Sequence, residues 1–198
     1  ACRTIHSYVL QHNEIRYIAR LSDYDILWEM FLDDLQLNPP HRRRFEPTPE
    51  HKGFNIKETA YAVLDEALRL ANLKMHIWLE GEQEQWIMME FARDDYIHAF
   101  AQFDLSLLKD AYFLFIEAQE ELCRERLHER IRHPITSDDH YVSDYILDNY
   151  YKMADKLNVL DFCGAYDIEV HRVKFIANNG SLEDFLVKIR QFAEAILR

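Results

Sequence analysis

The sequence contains few of the residues that break regular structure. Four glycines and five prolines occur among 198 residues, so long irregular regions are not expected. The three cysteines, Cys2, Cys123 and Cys163, form neither an even disulfide set nor a pair with metal-binding spacing. This cysteine usage fits a reducing compartment, and we therefore predict a cytoplasmic protein.

Long apolar runs and an excess of basic residues are also missing. No apolar run reaches the roughly 18 residues of a membrane span, and no signal peptide is visible. The net charge of −12 argues against nucleic-acid binding, because that binding relies on Lys and Arg to neutralise phosphates. We expect neither a membrane nor a nucleic acid as partner. The chain is 48% hydrophobic, which predicts one folded domain over residues 1–198.

Helical and extended patterns alternate along the chain. Helices are predicted at 1–12, 25–37, 56–80, 93–108, 119–132, 139–157 and, with Ser181 as N-cap, 182–197. Strands are predicted at 15–21, 85–91, 111–118 and 170–177. Residues 38–55, rich in Pro and Arg, are predicted to be an exposed loop. The alternation predicts an α/β fold with a parallel sheet between helices. The alternative is an all-helical scaffold, in which the apolar runs at 85–91 and 111–118 are helical.

Charged residues follow two of the predicted strands. Asp23 and Asp25 come after the first strand, and Glu90 and Arg93 end the second. Ligands collect at the carboxyl ends of parallel strands, and carboxylates beside arginines suit phosphoryl transfer. Structural alternatives stay open at both places. Asp23 or Asp25 can cap the following helix, and Glu90 can simply pair with Arg93.

Three arginines are spaced along the predicted helix at 119–132. Arg126 and Arg130 lie four residues apart on one face, with Arg132 close to the end of the helix. The planar guanidinium group binds phosphate oxygens in a bidentate way, so this helix is a candidate phosphate-binding element. The alternative is a solvent-exposed helix whose own glutamates pair with the arginines.

The remaining candidates are aromatic, basic or metal-binding. Trp28 can flank a planar acceptor such as a nucleobase, although aromatic residues in helical patterns usually belong to the core. Arg43, within the run HRRR, can bind an anionic acceptor or lie in a solvated basic loop. No two of the ten histidines are three or four residues apart. We therefore predict no metal site built from protein ligands alone.

Several segments together resemble the P-loop nucleoside and nucleotide kinases, the group that includes deoxynucleoside kinases and thymidylate kinase. The similar segments are RLSDYD (20–25), MEFARDDY (89–96), ERLHERIR (125–132) and VKFIANNGSLEDFLVKI (173–189). The resemblance implies a three-layer sandwich with strand order 2-3-1-4-5 and a helical lid at 119–140. It also implies ATP with Mg²⁺ as cofactors and a small-molecule acceptor, such as a nucleoside or nucleotide. A homodimer is left open.

The same resemblance implies roles for individual residues. Either Asp23 or Glu90 acts as the base or as the carboxylate on the metal side, and Arg93 orients the acceptor. The other implied sites are the lid arginines Arg126, Arg130 and Arg132 on the phosphates, Asn178 and Gly180 beside adenine, and Asp25, Trp28 and Arg43 on the acceptor.

The sequence departs from this family at one important point. The phosphate-binding motif GxxxxGK[ST] is absent from the 198 residues. The resemblance places ACRTIHSYVLQHN as the helix that follows this motif. We therefore expect the first strand and its loop to precede Ala1, and the sheet to have a gap between the strands at 85–91 and 111–118. The rival hypothesis is a non-catalytic nucleotide-binding or interaction module with the same fold.

Overall fold

The computed structural model describes residues 1–12, 17–48, 53–81, 85–133, 146 and 159–197. The labelled helices are α1 (Cys2–His12), α2 (Asp23–Leu37), α3 (Ala62–Leu79), α4 (Tyr96–Phe100), α5 (Leu105–Lys109), α6 (Glu120–Arg132), α7 (Val159–Tyr166) and α8 (Leu182–Ile196). The strands are β1 (Tyr17–Ser22), β2 (Phe45–Thr48), β3 (Gly53–Ile56), β4 (Gln85–Glu90), β5 (Phe113–Glu117) and β6 (Val173–Ala177).

Four of the strands form two parallel pairs. In the first pair β1 lies beside β4, with Ser22 opposite Glu90, and in the second β5 lies beside β6, with Glu117 opposite Ala177. The predicted α/β class with parallel strands is therefore confirmed. The all-helical alternative is wrong, because both apolar runs are strands. Among the described residues, β4 and β5 are not paired with each other.

Two hydrophobic clusters pack against the parallel strands. The smaller joins α1 and α8 to residues of all four strands, including Ile18, Met88, Leu114 and Ile176. In the parallel strands, residues of the larger cluster alternate along the chain with residues of the smaller one, and they pack against α2, α3 and α7. The members of the larger cluster from the parallel strands are Leu21, Ile87, Met89, Phe113, Phe115, Val173 and Phe175. Alternate side chains of a strand point to opposite faces, so both faces of both pairs are covered by helices.

The apolar strands are less buried than their sequence indicates. Trp86, Ile87, Met88 and Met89 of β4 are all half-buried, and Ile116 of β5 is 43% exposed. Helices pack on both faces of these strands, as predicted, but the strand side chains stay partly exposed. In the described residues, β4 pairs only with β1 and β5 only with β6, so one edge of each strand has no neighbour to cover it.

The segment predicted as an exposed loop at 38–55 contains β2 and the beginning of β3, which pair in antiparallel fashion. That prediction is wrong, because Phe45 is 1% and Phe54 is 8% exposed. The ring of Phe54 packs 5.1 Å from that of Phe31 on α2. The hairpin therefore covers α2, and burial of its aromatic side chains outweighs the loop tendency of the nearby prolines.

Two predicted helices have different bounds. The helix predicted at 56–80 begins at Ala62, because Ile56 ends β3 and a 3₁₀ turn covers Glu58–Ala60. The helix predicted at 93–108 is two short helices, since Asp95 caps α4 by accepting from His98 N at 2.8 Å and the chain bends before Asp104. Short polar side chains favour such helix starts.

The helices near the end of the chain agree better with prediction. α6 and α8 lie where expected, and Ser181 Oγ caps α8 by accepting from Asp184 N at 3.1 Å. α7 was not predicted. The helix predicted at 139–157, part of the predicted lid at 119–140, and the first two residues of the strand predicted at 15–21 lie outside the described residues.

Candidate functional site

A buried ion pair joins the ends of β1 and β4. Asp23, the first residue of α2, is 9% exposed, and Arg93, three residues beyond β4, is 3% exposed. Arg93 Nη1 donates to Asp23 Oδ2 at 2.5 Å. Burial raises the pKa of the Asp23 carboxyl, because desolvation outweighs the favourable contact with Arg93. This pair is the most deeply buried ion pair among the described residues.

The guanidinium group of Arg93 is further held by backbone oxygens. It donates from Nη1 to Ala92 O at 2.6 Å and from Nη2 to Leu64 O at 2.8 Å. Its Nε is buried with no hydrogen-bond partner among the described residues. These contacts fix Arg93 between β4 and α3, so its first role is to hold Asp23 in place.

Glu90 lies in a more open environment at the same edge. Its side chain is 52% exposed and accepts from Arg20 Nη2 at 2.9 Å. Cys2 Sγ, in the first turn of α1, lies 3.4 Å from Glu90 Oε2. Burial, together with the nearby Glu90 carboxylate, raises the pKa of the Cys2 thiol to about 11. The N-terminus of α1 is thus placed beside the carboxyl end of β4.

These contacts decide the two structural alternatives at this edge. The N-cap of α2 is Ser22, whose Oγ accepts from Tyr24 N at 3.3 Å, so neither Asp23 nor Asp25 caps the helix. The two charged residues of β4 and its connection also separate. Glu90 pairs with Arg20, and Arg93 pairs with Asp23.

A second group of candidates meets at the carboxyl ends of β5 and β6. Arg126 Nη1 donates to Asn178 O at 2.8 Å, and Arg126 Nη2 donates to Gly180 O at 3.4 Å. Asn178 N donates to Glu117 O at 2.7 Å. The helix α6 is therefore bonded directly to the turn between β6 and α8.

The other two lid arginines lie farther along α6. Arg130 Nε approaches Arg126 O at 3.4 Å, and Arg132 lies in the last turn. An open surface depression of about 420 Å³ is lined by Arg126, Arg132 and three further α6 residues, namely Glu125, His128 and Glu129. The arginines face a mixed-charge surface here rather than a purely cationic one.

The candidate acceptor residues are spread over α2 and the segment that follows it. Asp25 is exposed, and Trp28 is half-buried with its ring 5.3 Å from that of Phe31. Arg43 donates to Asn38 O at 3.1 Å and to Leu35 O at 3.2 Å. Arg43 therefore satisfies carbonyl groups at the end of α2, a structural role that is typical of basic residues at helix C-termini.

Sequence reasoning missed three residues of the site. Arg20 and Cys2 both contact Glu90, and the ring of Tyr96 packs 5.2 Å from Phe115. Tyr96 therefore joins the connection that carries Arg93 to β5. The contact between Arg20 and Glu90 depends on the register that places Ser22 opposite Glu90, and the sequence alone does not give that register.

Two searches of the described residues gave no positive result. None of their helices combines the length and the apolar character needed to span a bilayer. No three or more His, Cys, Asp or Glu residues in that part of the chain are arranged to hold a metal ion.

Comparison with known proteins gave no match to a family model, a curated protein or a solved structure. The resemblance to P-loop kinases therefore remains a prediction from short motifs.

Proposed function

We propose that this protein is a phosphotransferase of the P-loop kinase type, which transfers the terminal phosphoryl group of ATP to a small acceptor such as a nucleoside or nucleotide. One observation carries the proposal. The N-terminus of α1, the exposed Glu90 and the buried Asp23–Arg93 pair converge at the carboxyl ends of two parallel strands. Ligands of open α/β sheets bind at such edges.

The finer fold proposed with this function is a three-layer sandwich with strand order 2-3-1-4-5. In this order the observed strands β1, β4, β5 and β6 correspond to strands 2, 3, 4 and 5. Strand 1 of the order is an additional strand, which would lie between β4 and β5. The two observed pairs and the half-exposed faces of β4 support this order. Sheet edges rarely stay unpaired inside a protein, because each buried N–H and C=O group needs a partner.

The position of α1 supports a place for the phosphate-binding loop of the proposed fold. A strand parallel to β4 would end near Glu90, and the first turn of α1 begins at the same place. The short connection between them would lie at the N-terminus of a helix, where anions are favoured by the helix dipole and by unpaired N–H groups. In this proposal the phosphate-binding loop lies beside the first turn of α1 and Glu90.

The residues present fit only part of an ATP and Mg²⁺ site. Glu90 is an exposed carboxylate suited to a water-bridged Mg²⁺, which needs few protein ligands. Arg126 lies beside the Asn178–Gly180 turn, where the adenine side is proposed. The phosphate-binding loop itself is not within the 198 residues. When bound, Mg²⁺ would neutralise charge on the phosphates.

The two carboxylates are suited to different roles. Asp23 is held by Arg93 and has a raised pKa because it is buried, which favours proton exchange with an acceptor hydroxyl. Glu90 is exposed beside α1, which favours the metal side. In this proposal Asp23 is the base, Arg93 orients it, and Arg126, Arg130 and Arg132 neutralise the phosphates.

The direct test is ATP binding and turnover over a panel of nucleosides, nucleotides and small metabolites. The assay uses this chain together with the residues that the reading frame encodes before Ala1. Asp23→Asn and Glu90→Gln should each abolish acceptor-stimulated turnover, whereas the matched control Glu46→Gln, on β2, should leave it unchanged. Absence of ATP binding together with absence of stimulation by every acceptor rejects the proposal.

The rival proposal is a non-catalytic nucleotide-binding or interaction module. It is favoured by the engagement of Arg93 and Arg126 in bonds to backbone oxygens, which leaves fewer donors for phosphates. The codons before Ala1 distinguish the two proposals. A GxxxxGK[ST] motif there supports the enzyme, and a reading frame without it supports the module.

A further inference from the structure

A row of four polar residues runs along one face of α3. Asp65, Arg69, Asn72 and His76 are spaced by four, three and four residues, the spacing that places side chains above one another on a helix. The row is separate from the site at the strand ends. Asn72 is its most buried member, with 9% exposure, so the row is covered along part of its length.

Every residue in this row bonds to the connection between β4 and β5. The contacts are Asp65 Oδ2 with His98 Nε2 at 3.0 Å, Arg69 Nη1 with Gln102 Oε1 at 2.7 Å, Asn72 Nδ2 with Asp104 Oδ2 at 3.2 Å and His76 Nε2 with Asp104 Oδ2 at 2.5 Å. In addition, Asp104 N donates to Asn72 Oδ1 at 3.0 Å. Side chains of α3 therefore fasten the whole stretch from α4 to the start of α5.

One of these contacts, between His98 and Asp65, depends on histidine protonation. His98 faces three carboxylates, Asp65 from α3 and Asp94 and Asp95 from its own connection, and the hydrogen bond that His98 donates to Asp65 contributes most to raising the His98 pKa. His76 faces Asp104, whose pKa is lowered by hydrogen bonds from Asn72 and His76. The carboxylates around His98 thus favour its protonated ring.

We propose that this row is a pH-sensitive clamp, which holds residues 95–104 against α3 more tightly while His98 is protonated and loosens them when His98 loses its proton. The held stretch begins two residues after Arg93, and its Tyr96 packs on Phe115. The clamp therefore acts on the connection that carries Arg93. It needs no nucleotide and goes beyond the proposed function.

The direction of the effect follows from proton linkage. The pKa of His98 is higher in the folded protein than the ordinary 6.5. The stability that the His98–Asp65 contact gains from protonation is therefore fully present below that ordinary value. It is lost as the pH rises through the raised value. Asp104, which accepts hydrogen bonds from Asn72 and His76, has a lowered pKa. The stability that these bonds contribute is therefore lost only in strongly acidic solution. The clamp is therefore tightest in mildly acidic solution.

Amide hydrogen exchange of the intact chain, followed at about pH 5.5 and about pH 8, tests the clamp because it measures local opening. After correction for intrinsic exchange, opening of residues 95–104 should increase about two- to fivefold at the higher pH, as one exposed ion pair can supply. Amides of α8 should not change. The double variant His76→Gln/His98→Gln should open equally at both pH values.

The matched control is His171→Gln. His171 also forms an exposed pair with a carboxylate, at 3.1 Å from Glu169, but it lies outside α3 and the held stretch. This variant should keep the pH response of the wild type. Equal opening of wild type at both pH values, or a response that persists in the double variant, overturns the proposal. If the double variant fails to fold, an NMR titration of wild type decides: the amide shifts of residues 98–104 must follow the His98 ring.

Discussion

The two parallel strand pairs are alike in hydrogen bonding and differ in what lies at their carboxyl ends. At the end of β1 and β4, two charged side chains are buried together, Asp23 and Arg93. At the end of β5 and β6, the charged residue is Arg126, half-buried and bonded to backbone carbonyls. One end is held by a buried charge pair, and the other by hydrogen bonds to a turn.

This difference predicts how each end responds to substitution. Removing one member of a buried ion pair leaves an uncompensated charge in a poorly solvated place, which costs far more than the pair contributes. Removing an arginine that bonds to partly exposed carbonyls leaves groups that water can reach. Substitution of Arg93 at the first end should therefore lower the free energy of unfolding more than substitution of Arg126 at the second.

The largest effect is expected for Arg93→Met. Asp23 would remain buried without its partner, so we expect a loss of about 3–5 kcal/mol in the free energy of unfolding. Urea denaturation at neutral pH measures this loss. The destabilisation should be smaller near pH 4, because without Arg93 the pKa of Asp23 rises further, and protonation then removes the buried charge.

The matched control for this change is Arg20→Met. Arg20 pairs with Glu90 at the same edge, but the two side chains are 34% and 52% exposed, so the loss should stay below about 1 kcal/mol. If both arginine variants lose the same stability, burial does not separate the two pairs and the comparison fails.

An intermediate effect is expected for two helix N-caps, Ser22 at the carboxyl end of β1 and Ser181 in the turn after β6. Ser22→Ala removes the cap of α2 and Ser181→Ala removes the cap of α8. Each should cost about 1 kcal/mol, within the usual range of about 0.5–2 kcal/mol, since a backbone N–H loses its acceptor. Thermal or urea unfolding measures both. A loss above about 3 kcal/mol for Ser22→Ala alone would mean that Asp23 is disturbed as well.

Much of the fold could be predicted from the sequence. Apolar runs predicted the four parallel strands, helical periodicity predicted α6, and the Ser181 cap predicted the start of α8. These signals are all local in the sequence. The hairpin of β2 and β3 was missed, since it depends on Phe45 and Phe54 meeting Phe31 across the chain. The break between α4 and α5 was missed because Asp104 bonds to Asn72 on a distant helix.

The candidate site was predictable in composition but not in pairing. Asp23, Glu90 and Arg93 were selected because they follow strands, and the strand ends do meet. Which carboxylate pairs with which arginine depends on the register of β1 against β4 and on the path of the chain after β4. No local pattern contains that information, so the Asp23–Arg93 and Arg20–Glu90 pairs could be seen only in three dimensions.

A smaller effect is expected for Arg126→Met. The substitution removes the bonds to Asn178 O and Gly180 O, and we expect a loss of about 0.5–1.5 kcal/mol because water can replace part of them. Hydrogen exchange should rise in the turn at 178–181. Among the described residues, the control Arg130→Met removes a contact of 3.4 Å to Arg126 O, and it should leave the turn protected. Equal exchange in both variants would show that Arg126 does not hold the turn.

The smallest effect is expected for Gly180→Ala, which tests whether this glycine is required by the fold. Gly180 does not have a positive φ, and an added Cβ would lie 3.7 Å from Asp184 Oδ2, an ordinary contact. The change should therefore alter stability by less than about 1 kcal/mol, with a small gain from the less flexible unfolded chain. Urea denaturation measures this, and a loss above that limit would show a strain that the geometry does not contain. If stability is unchanged but ATP binding falls, Gly180 contributes to the adenine side of the proposed site and is not required for the stability of the turn.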